Sequence, residues 1–503
     1  MPKAPKKEHP NLHRQVAQGG AWIMVAQLIR QLTHVGKIII LTHIFPKESL
    51  GIILFGTLAI TTLNTFSTTG FQQALIQKKE DISETLNTVW TINIIRGFVL
   101  AALMYFTASG ILSLITMTAQ VIPTDPDLAI RIIQVLSVTF IITGLTNVGT
   151  VYFSKDLAFK KIFMLTTANT AIDAIVTLAI AWQYNTIWSL VIGKIVGTTA
   201  GCLLSYYLHP YRPKLQISMQ HAKTLWSFSK WVFIGTVISF LVTQGDDYFV
   251  TGYLGFAAFM LYRTAFNLAN APATQITNTI SKISYPAYAK IQQDIPRLRN
   301  AYLKILQLTA AITLPVSVMI IVLAPDITKL FLPESYKIVG TLLQIISIKG
   351  IIVAIGATRG PLFMAIGKPQ LNTMLKCARL LTLIILIYPL TNRYGLIGAT
   401  WTVAIISFVS DPFAYYLMIK EFKFTLKALL FPLIFPICVS LLMAAVIMVE
   451  KQYLQNISIV HFVIYICSGI ITFIVCVLTL NKYSQFNYRQ FMFEQIKYLK
   501  RQP

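Results

Sequence analysis

Gln27, Arg30, His34 and Lys37 lie inside an apolar stretch, residues 16–45, whose other positions are mainly Ile, Val, Leu, Ala and Met. They step by three, four and three, so on a helix they share one face. Two fixed cations, an imidazole and an amide on one face can hold an anion and hydrogen-bond to its neighbours. A bilayer tolerates such a stripe only where it meets other helices or trapped water. The alternative is an amphipathic helix lying on a surface. The long apolar segments that follow favour a helix lining a polar cavity.

Further cations are buried in those later segments: Arg96, Lys194, Arg263, Lys349 and Arg359. Arg131 and Lys230 stand near segment ends, where they can snorkel to the interface. A cation at mid-bilayer costs at least about 2.5–3.5 kcal/mol on insertion scales, so it needs a partner or a watery pocket. Intramembrane acids are scarcer: Asp173, Asp246 and Asp247, with Asp411 beside Pro412 as a further candidate. The excess of cations suits an anionic ligand. The acids suit either ion coupling or neutralisation of nearby bases.

Polar stripes repeat the pattern, with Asn64 among Thr57, Thr61 and Thr68, and Asn169 and Asp173 between Thr166 and Thr177. Arg263, Asn267, Asn270 and Thr274 form another. Hydrogen bonding between helices, or back to the same helix, explains any one stripe. Together with the charges they point to a shared hydrated cavity.

The elements that must position these residues are membrane spans. The chain has 503 residues, 55% hydrophobic and 12% charged, with a mean hydropathy of +0.66. Soluble domains are roughly one-quarter charged. Apolar runs of about twenty residues, not ten-residue alternations, indicate helices and not a barrel. The fold class expected is all-α and polytopic, with about fourteen transmembrane helices.

The net charge of +24 need not mean nucleic acid, because cytoplasmic loops collect Lys and Arg. With a cytoplasmic N-terminus, the cytoplasmic side receives most loop cations, Lys376 and Arg379 among them. The opposite side receives Lys47, Lys329, Lys337, Arg393 and Lys451. That asymmetry places both termini in the cytoplasm and excludes a nucleic-acid partner. Cys202, Cys377, Cys438, Cys467 and Cys476 form no close ligand pair and read as small core residues, without a disulfide framework or metal site. No phosphate-cradling glycine loop and no clustered catalytic acids or histidines are evident, so neither an enzyme nor a cofactor is expected.

The expected organisation is a basic N-terminus (1–15), a six-helix bundle (16–210), a linker (211–223), a second six-helix bundle (224–420), an added helix pair (428–480) and a basic tail (481–503). The final pair, nearly free of ionisable residues, should pack outside the polar bundle and face lipid. A faint repeat at an offset of 209 residues sets Trp22 on Trp231, Gly36 on Gly245 and Thr42 on Thr251. Six spans per half make the halves parallel repeats about an axis along the membrane normal. At this offset Lys37 falls on Asp246, a candidate ion pair.

Short motifs run in order over nearly the whole chain: Leu41-Thr-His-Ile-Phe-Pro-Lys-Glu-Ser-Leu-Gly51, Ser154-Lys-Asp-Leu-Ala-Phe-Lys160, Asp246-Asp-Tyr-Phe-Val-Thr-Gly-Tyr-Leu-Gly255 and Gly360-Pro-Leu-Phe-Met-Ala-Ile-Gly-Lys-Pro369. In these the chain resembles bacterial polysaccharide transporters, lipid-linked oligosaccharide flippases of the multidrug/oligosaccharidyl-lipid/polysaccharide exporter superfamily. His43 and Gly252 stand where family members often carry Arg.

The resemblance implies two bundles around a central cavity, working by alternating access in the bacterial inner membrane. The implied cargo is a polyprenyl-pyrophosphate-linked oligosaccharide for surface polysaccharide. Membrane lipid and polysaccharide polymerase machinery are the other implied partners. A pyrophosphate crossing a low-dielectric layer needs fixed cations, which Arg30, Lys37, Arg96, Lys194, Arg263, Lys349 and Arg359 would supply. Gln27, His34, Asn64, Asn169, Asn267 and Asn270 would meet sugar hydroxyls. Asp173, Asp246 and Asp247 would couple an ion or balance charge. A cation-coupled multidrug exporter and a peptidoglycan lipid-precursor flippase of the same superfamily are the alternatives.

Overall fold

A computed structural model describes residues 11–67, 83–116, 125–156, 158–454 and 458–480. Side chains at 11–21, 23–24, 83–84, 116, 219–235, 270–276, 278–279, 282–283, 286, 354 and 480 lie outside the described set. The described residues form helices joined by short turns, with no strand among them. Ten of the described helices are long and apolar enough to cross a membrane. The chain is therefore an all-α, multi-pass membrane protein. The expected fourteen spans are not established by that count.

The chain divides into two compact units. Unit 1 runs to Phe240 and includes Thr251–Met260. It contains α1 (Asn11–Ile44), α2 (Lys47–Ser67), α3 (Ser83–Thr116), α4 (Pro126–Leu136), α5 (Val138–Gly144), α6 (Val151–Lys155), α7 (Phe159–Tyr184) and α8 (Trp188–Leu208). Pro46 stops α1, because the residue before a proline is pushed out of helical geometry. The next helix opens with Glu48 in its first turn, where a carboxylate suits the helix dipole. Helix α4 starts on Pro126 and is capped by Asp125, whose carboxylate accepts from the Leu128 N–H at 2.9 Å. Asn185, left-handed at φ 46°, ends α7.

The next helix, α9 (Met219–Lys290), is two helices joined at Gly255, whose φ of 85° and ψ of 173° only glycine adopts readily. Its two apolar runs, 224–248 and 250–281, predict a break near residue 249; the turn lies at Gly255. Gly51 of α2 packs so closely on this turn that a Cβ there would stand 2.0 Å from the Phe256 carbonyl oxygen.

Unit 2 comprises Leu241–Val250 and the chain from Leu261. It adds α10 (Ile295–Phe331), α11 (Ile338–Gly356), α12 (Arg359–Ala365), α13 (Gln370–Phe422), α14 (Leu426–Tyr453) and α15 (Ile459–Leu480). Asp294 caps α10 by accepting from the Arg297 N–H at 3.0 Å. Helix α13 also holds a turn, at Gly395 with φ 58°. Tyr288, Tyr302, Leu362, Phe363, Met418 and Phe422 form the core between these helices.

Helices α14 and α15 are attached to α10. Val322 and Leu323 pack with Met443, Ile447 and Tyr465. Lys451 pairs with the buried Asp326 and donates to the Val322 carbonyl at 3.1 Å. The other face of α14 leaves Phe431, Ile434, Leu441 and Leu442 exposed, as expected of a lipid-facing helix. The ion pair beneath it was not foreseen.

Candidate functional site

In unit 1 the α1 stripe faces α7 and α8. Arg30, His34 and Lys37 line a cavity of about 290 Å³ with Asn169, Thr170 and Asp173 of α7 and Lys194 of α8. A second space of about 140 Å³ shares His34, Lys37, Asp173 and Lys194, and apart from Thr57 is otherwise walled by apolar side chains such as Leu41, Leu50, Ile53 and Leu136. The charged groups thus stand where a polar chamber meets an apolar one.

Close approach of α7 and α8 puts them there. Gly193, Gly197 and Gly201 form a stripe of small residues along α8. A Cβ at Gly193 would come within 2.0 Å of Thr177 Oγ1. One at Gly197 would come within 2.7 Å of the Asp173 Cβ, and one at Gly201 within 2.9 Å of Asn169 Nδ2. In a membrane, such packing replaces the hydrophobic force that joins helices in water. The glycine stripe therefore sets how far Asn169 and Asp173 stand from Lys194. Trp22 packs at a tilt against Phe163 with ring centroids 5.0 Å apart, holding α1 against the start of α7.

Lys37 donates to Asp173 Oδ2 at 2.6 Å, with both side chains mostly buried. Thr177 donates to the other carboxylate oxygen at 3.2 Å. The repeat register suggested Asp246 as the partner of Lys37; the partner found is Asp173. Lys194 lies within electrostatic reach of both members of the pair. Arg30 is exposed and donates to the Gln27 side chain one turn earlier. Among the described residues the cavity thus holds Arg30, Lys37 and Lys194, one imidazole and one carboxylate.

Arg96 and Asn64 meet elsewhere. The Arg96 guanidinium bonds Asn64 Oδ1 at 2.9 Å, the Asn64 carbonyl at 3.3 Å and Ser67 Oγ at 3.0 Å. It holds the last described turn of α2, where the Ser67 hydroxyl also donates to the Asn64 carbonyl at 3.1 Å.

Unit 2 carries a second charged group. Asp246 accepts from the Tyr262 hydroxyl, and Asp247 from Arg263 Nη1 at 3.0 Å. Both carboxylates are buried, Asp247 fully. Lys349 of α11 lies over the Phe266 ring at 4.6 Å, and Arg263 over the same ring at 5.1 Å. The Lys349 charge also reaches Asp246, Asp247 and Arg379. Asn267 stands one turn beyond Arg263 on the same helix. The Asn270 side chain lies outside the described residues.

Arg359 is committed to a buried pair. It donates to Asp411 Oδ1 at 2.7 Å, lies over Tyr415 at 5.3 Å, and is 3% exposed. Arg379, which the charge sorting placed among the cytoplasmic cations, is half-buried in α13 and donates to Ser410 Oγ at 3.0 Å. Its position more than two turns inside an apolar segment was the signal for it.

Beyond α8, residues 209–218 form an extended strap held by side chains. Asn87 Oδ1 accepts from the Tyr211 hydroxyl at 2.7 Å and from the Lys214 N–H at 2.9 Å. Thr91 Oγ1 accepts from the Gln216 N–H at 3.0 Å, and Thr88 Oγ1 from the Ser218 N–H at 3.1 Å. His209 stacks flat on Tyr152 and accepts through Nδ1 from the Tyr211 N–H at 3.1 Å, so its proton belongs on Nε2. Burial, then Lys161, and more weakly Arg212, hold its pKa below the usual imidazole value against the opposing pull of Asp156.

Comparison with known proteins adds to this geometry. Residues 20–339 match the family described as "Polysaccharide biosynthesis protein". The chain is 23% identical over 412 residues to the lipopolysaccharide biosynthesis protein WzxC of Escherichia coli, a match covering 82% of each chain. Among solved structures it is similar to the lipid II flippase MurJ in an inward closed conformation, with a TM-score of 0.73 and 18% identity, over 91% of this chain and 98% of that one. It is also similar to an inward-facing multidrug resistance transporter of the MATE family within the MOP superfamily. That match has a TM-score of 0.64 and 15% identity, over 80% of this chain and 98% of the other. At these identities the structural matches establish a shared fold.

Proposed function

The chain belongs to the polysaccharide biosynthesis protein family, and on that premise we propose that it translocates polyprenyl-pyrophosphate-linked oligosaccharide units across the bacterial inner membrane, by alternating access, for surface polysaccharide. The observation that carries this reading is the unit 1 cavity, where Arg30, Lys37 and Lys194 surround Asp173, the one carboxylate among the described lining residues. A pyrophosphate leaving water for a low-dielectric layer needs fixed positive charge along its path. The adjoining apolar space offers lipid a neighbouring surface. Asn169 and Gln27 can hydrogen-bond sugar hydroxyls. The name of the Escherichia coli relative refers to lipopolysaccharide biosynthesis, which suits the same cargo class.

On this reading Arg263 and Lys349 carry the anion in unit 2, while Arg96 and Arg359 serve chiefly as local structural cations. Asp246 and Asp247 balance charge or couple an ion. The division into bundles at 16–210 and 224–420 with an added pair at 428–480, and the cytoplasmic placement of both termini, belong to the same proposal. So do a membrane-lipid contact and a polysaccharide polymerase partner.

The test is transport of a fluorescent polyprenyl-pyrophosphate-linked oligosaccharide by the full chain in proteoliposomes. Lys37→Ala with Lys194→Ala should abolish translocation while the protein still inserts and elutes as a single species. Undiminished transport by that double variant, and by its combination with Arg30→Ala, would reject the reading. A multidrug exporter for cationic compounds shares the fold, but its cargo would be repelled by this cavity. A peptidoglycan lipid-precursor flippase shares both fold and anionic headgroup. It would make deletion of the gene lethal in an otherwise intact strain, whereas loss of a surface polysaccharide alone supports the proposal.

A further inference from the structure

Asp173 brings a negative charge into a cavity otherwise built for anions. Neutralising Lys37 so that α1 can cross the bilayer would explain one contact. Yet the carboxylate does more than meet Lys37. One oxygen accepts from Lys37 at 2.6 Å and the other from Thr177 at 3.2 Å. Lys194 lies within its reach from α8. Gly197 packs against its Cβ, which fixes the side chain at the wall shared by the polar and apolar chambers. Lys37 and Asp173 are 14% and 16% exposed, so the pair stands at a solvent-accessible wall and not in a sealed core.

Resting on the translocation reading above, we infer that Asp173 is a resident counter-anion: it holds Lys37 while the cavity is empty, yields it to an incoming phosphate oxygen, and reclaims it when the phosphate leaves. Charge supports this. Leaving His34 aside, the three cations and one carboxylate among the described lining residues leave an excess of positive charge about equal to the two negative charges of a pyrophosphate diester. The ligand is therefore matched with Asp173 still ionised. A cavity without that carboxylate would hold the ligand more tightly. A carrier has to bind strongly enough to admit its cargo and weakly enough to release it. An internal carboxylate competing for the same ammonium sets that limit without any further moving part. The exchange is purely of hydrogen bonds and ion pairs; no covalent bond changes.

The experiment measures farnesyl pyrophosphate binding and dissociation with the full chain in detergent. Asp173→Asn should tighten binding by about tenfold, the effect of removing one competing charge at a partly hydrated site, and slow dissociation to match. It should also slow translocation of the lipid-linked oligosaccharide. Lys37→Ala and Lys194→Ala should each weaken binding. Asp156→Asn, which removes an exposed carboxylate at the end of α6, should leave binding unchanged and thereby exclude a general charge effect. Asp173→Ser makes the same test with a smaller neutral side chain should the amide variant fail to insert. If neutral variants at 173 bind no tighter than the parent, or as weakly as Lys37→Ala, while the lysine variants still lose affinity, the counter-anion role is wrong and the translocation reading stands. If neither lysine affects binding, both are wrong.

Discussion

Asp247 and Arg263 face each other at 3.0 Å across the turn at Gly255, equally distant from it along the chain. The turn makes the pair. Two helices that meet at one left-handed residue bring positions of equal distance into register, and Asp246 meets Tyr262 beside them. The Asp247 side chain is only 1% exposed, so its charge depends on the guanidinium. Arg263→Ala should lower stability by about 3–5 kcal/mol, the usual result of leaving a buried ion without its partner. Asp247→Asn combined with Arg263→Gln should restore most of that loss. Thermal unfolding in detergent measures both; simple additivity of the single losses would count against the pairing.

The glycine stripe of α8 makes a second prediction. Gly197→Ala would set a methyl group 2.7 Å from the Asp173 Cβ, so α7 or α8 must shift. The cost should be about 1–3 kcal/mol, typical of an overpacked contact. Translocation should fall further than this implies, because the shift moves Asp173 relative to Lys37. Thermal stability and transport rate, measured on the same preparation, separate the two effects. Gly110, where an added methyl group would meet nothing within 4 Å, is the matched control and should tolerate alanine.

The strap around His209 should respond to pH. Its pKa is held down in the folded protein by burial and by Lys161 and Arg212. The unfolded chain therefore binds this proton more readily than the folded one, so stability rises with pH through this range. The neutral ring's contribution is complete above the ordinary imidazole pKa and is lost as pH falls below it. Protonation would also add a like charge beside Lys161 and Arg212 and place a proton on the nitrogen that accepts from Tyr211. Hydrogen exchange at residues 211–218 should quicken between about pH 7 and pH 5. His209→Gln should flatten that dependence; an unchanged profile would remove the ring from the account.

Much of unit 1 was legible from spacing. Gln27, Arg30, His34 and Lys37 announce a polar face by period alone, and Asn169 and Asp173 do the same on α7. Period reveals which face of a helix is polar but not which helix lies opposite. That is why Lys37 was set against Asp246 by repeat register, whereas packing along Gly193 and Gly197 gives it Asp173. Arg379 was grouped with the loop cations because it shares a stretch with Lys376, and its contact with Ser410, 31 positions on, leaves no local pattern. Arg359 was counted with the free cavity cations because its partner Asp411 is 52 positions away. The link from Lys451 to Asp326 was hidden for the same reason: a buried ion pair between distant helices leaves no local pattern. The turn at Gly255 was placed about six residues early because a single residue reverses the chain with almost no polar interval.

The pinning of residues 211–218 to α3 has a mechanical meaning. Asn87, Thr88 and Thr91 grip that stretch through its backbone as well as its side chains, so the path from Tyr211 to Ser218 follows α3 without slack. The helix that begins at Met219 therefore starts from a stretch tethered to α3, and any swing of it must either carry α3 along or break those bonds.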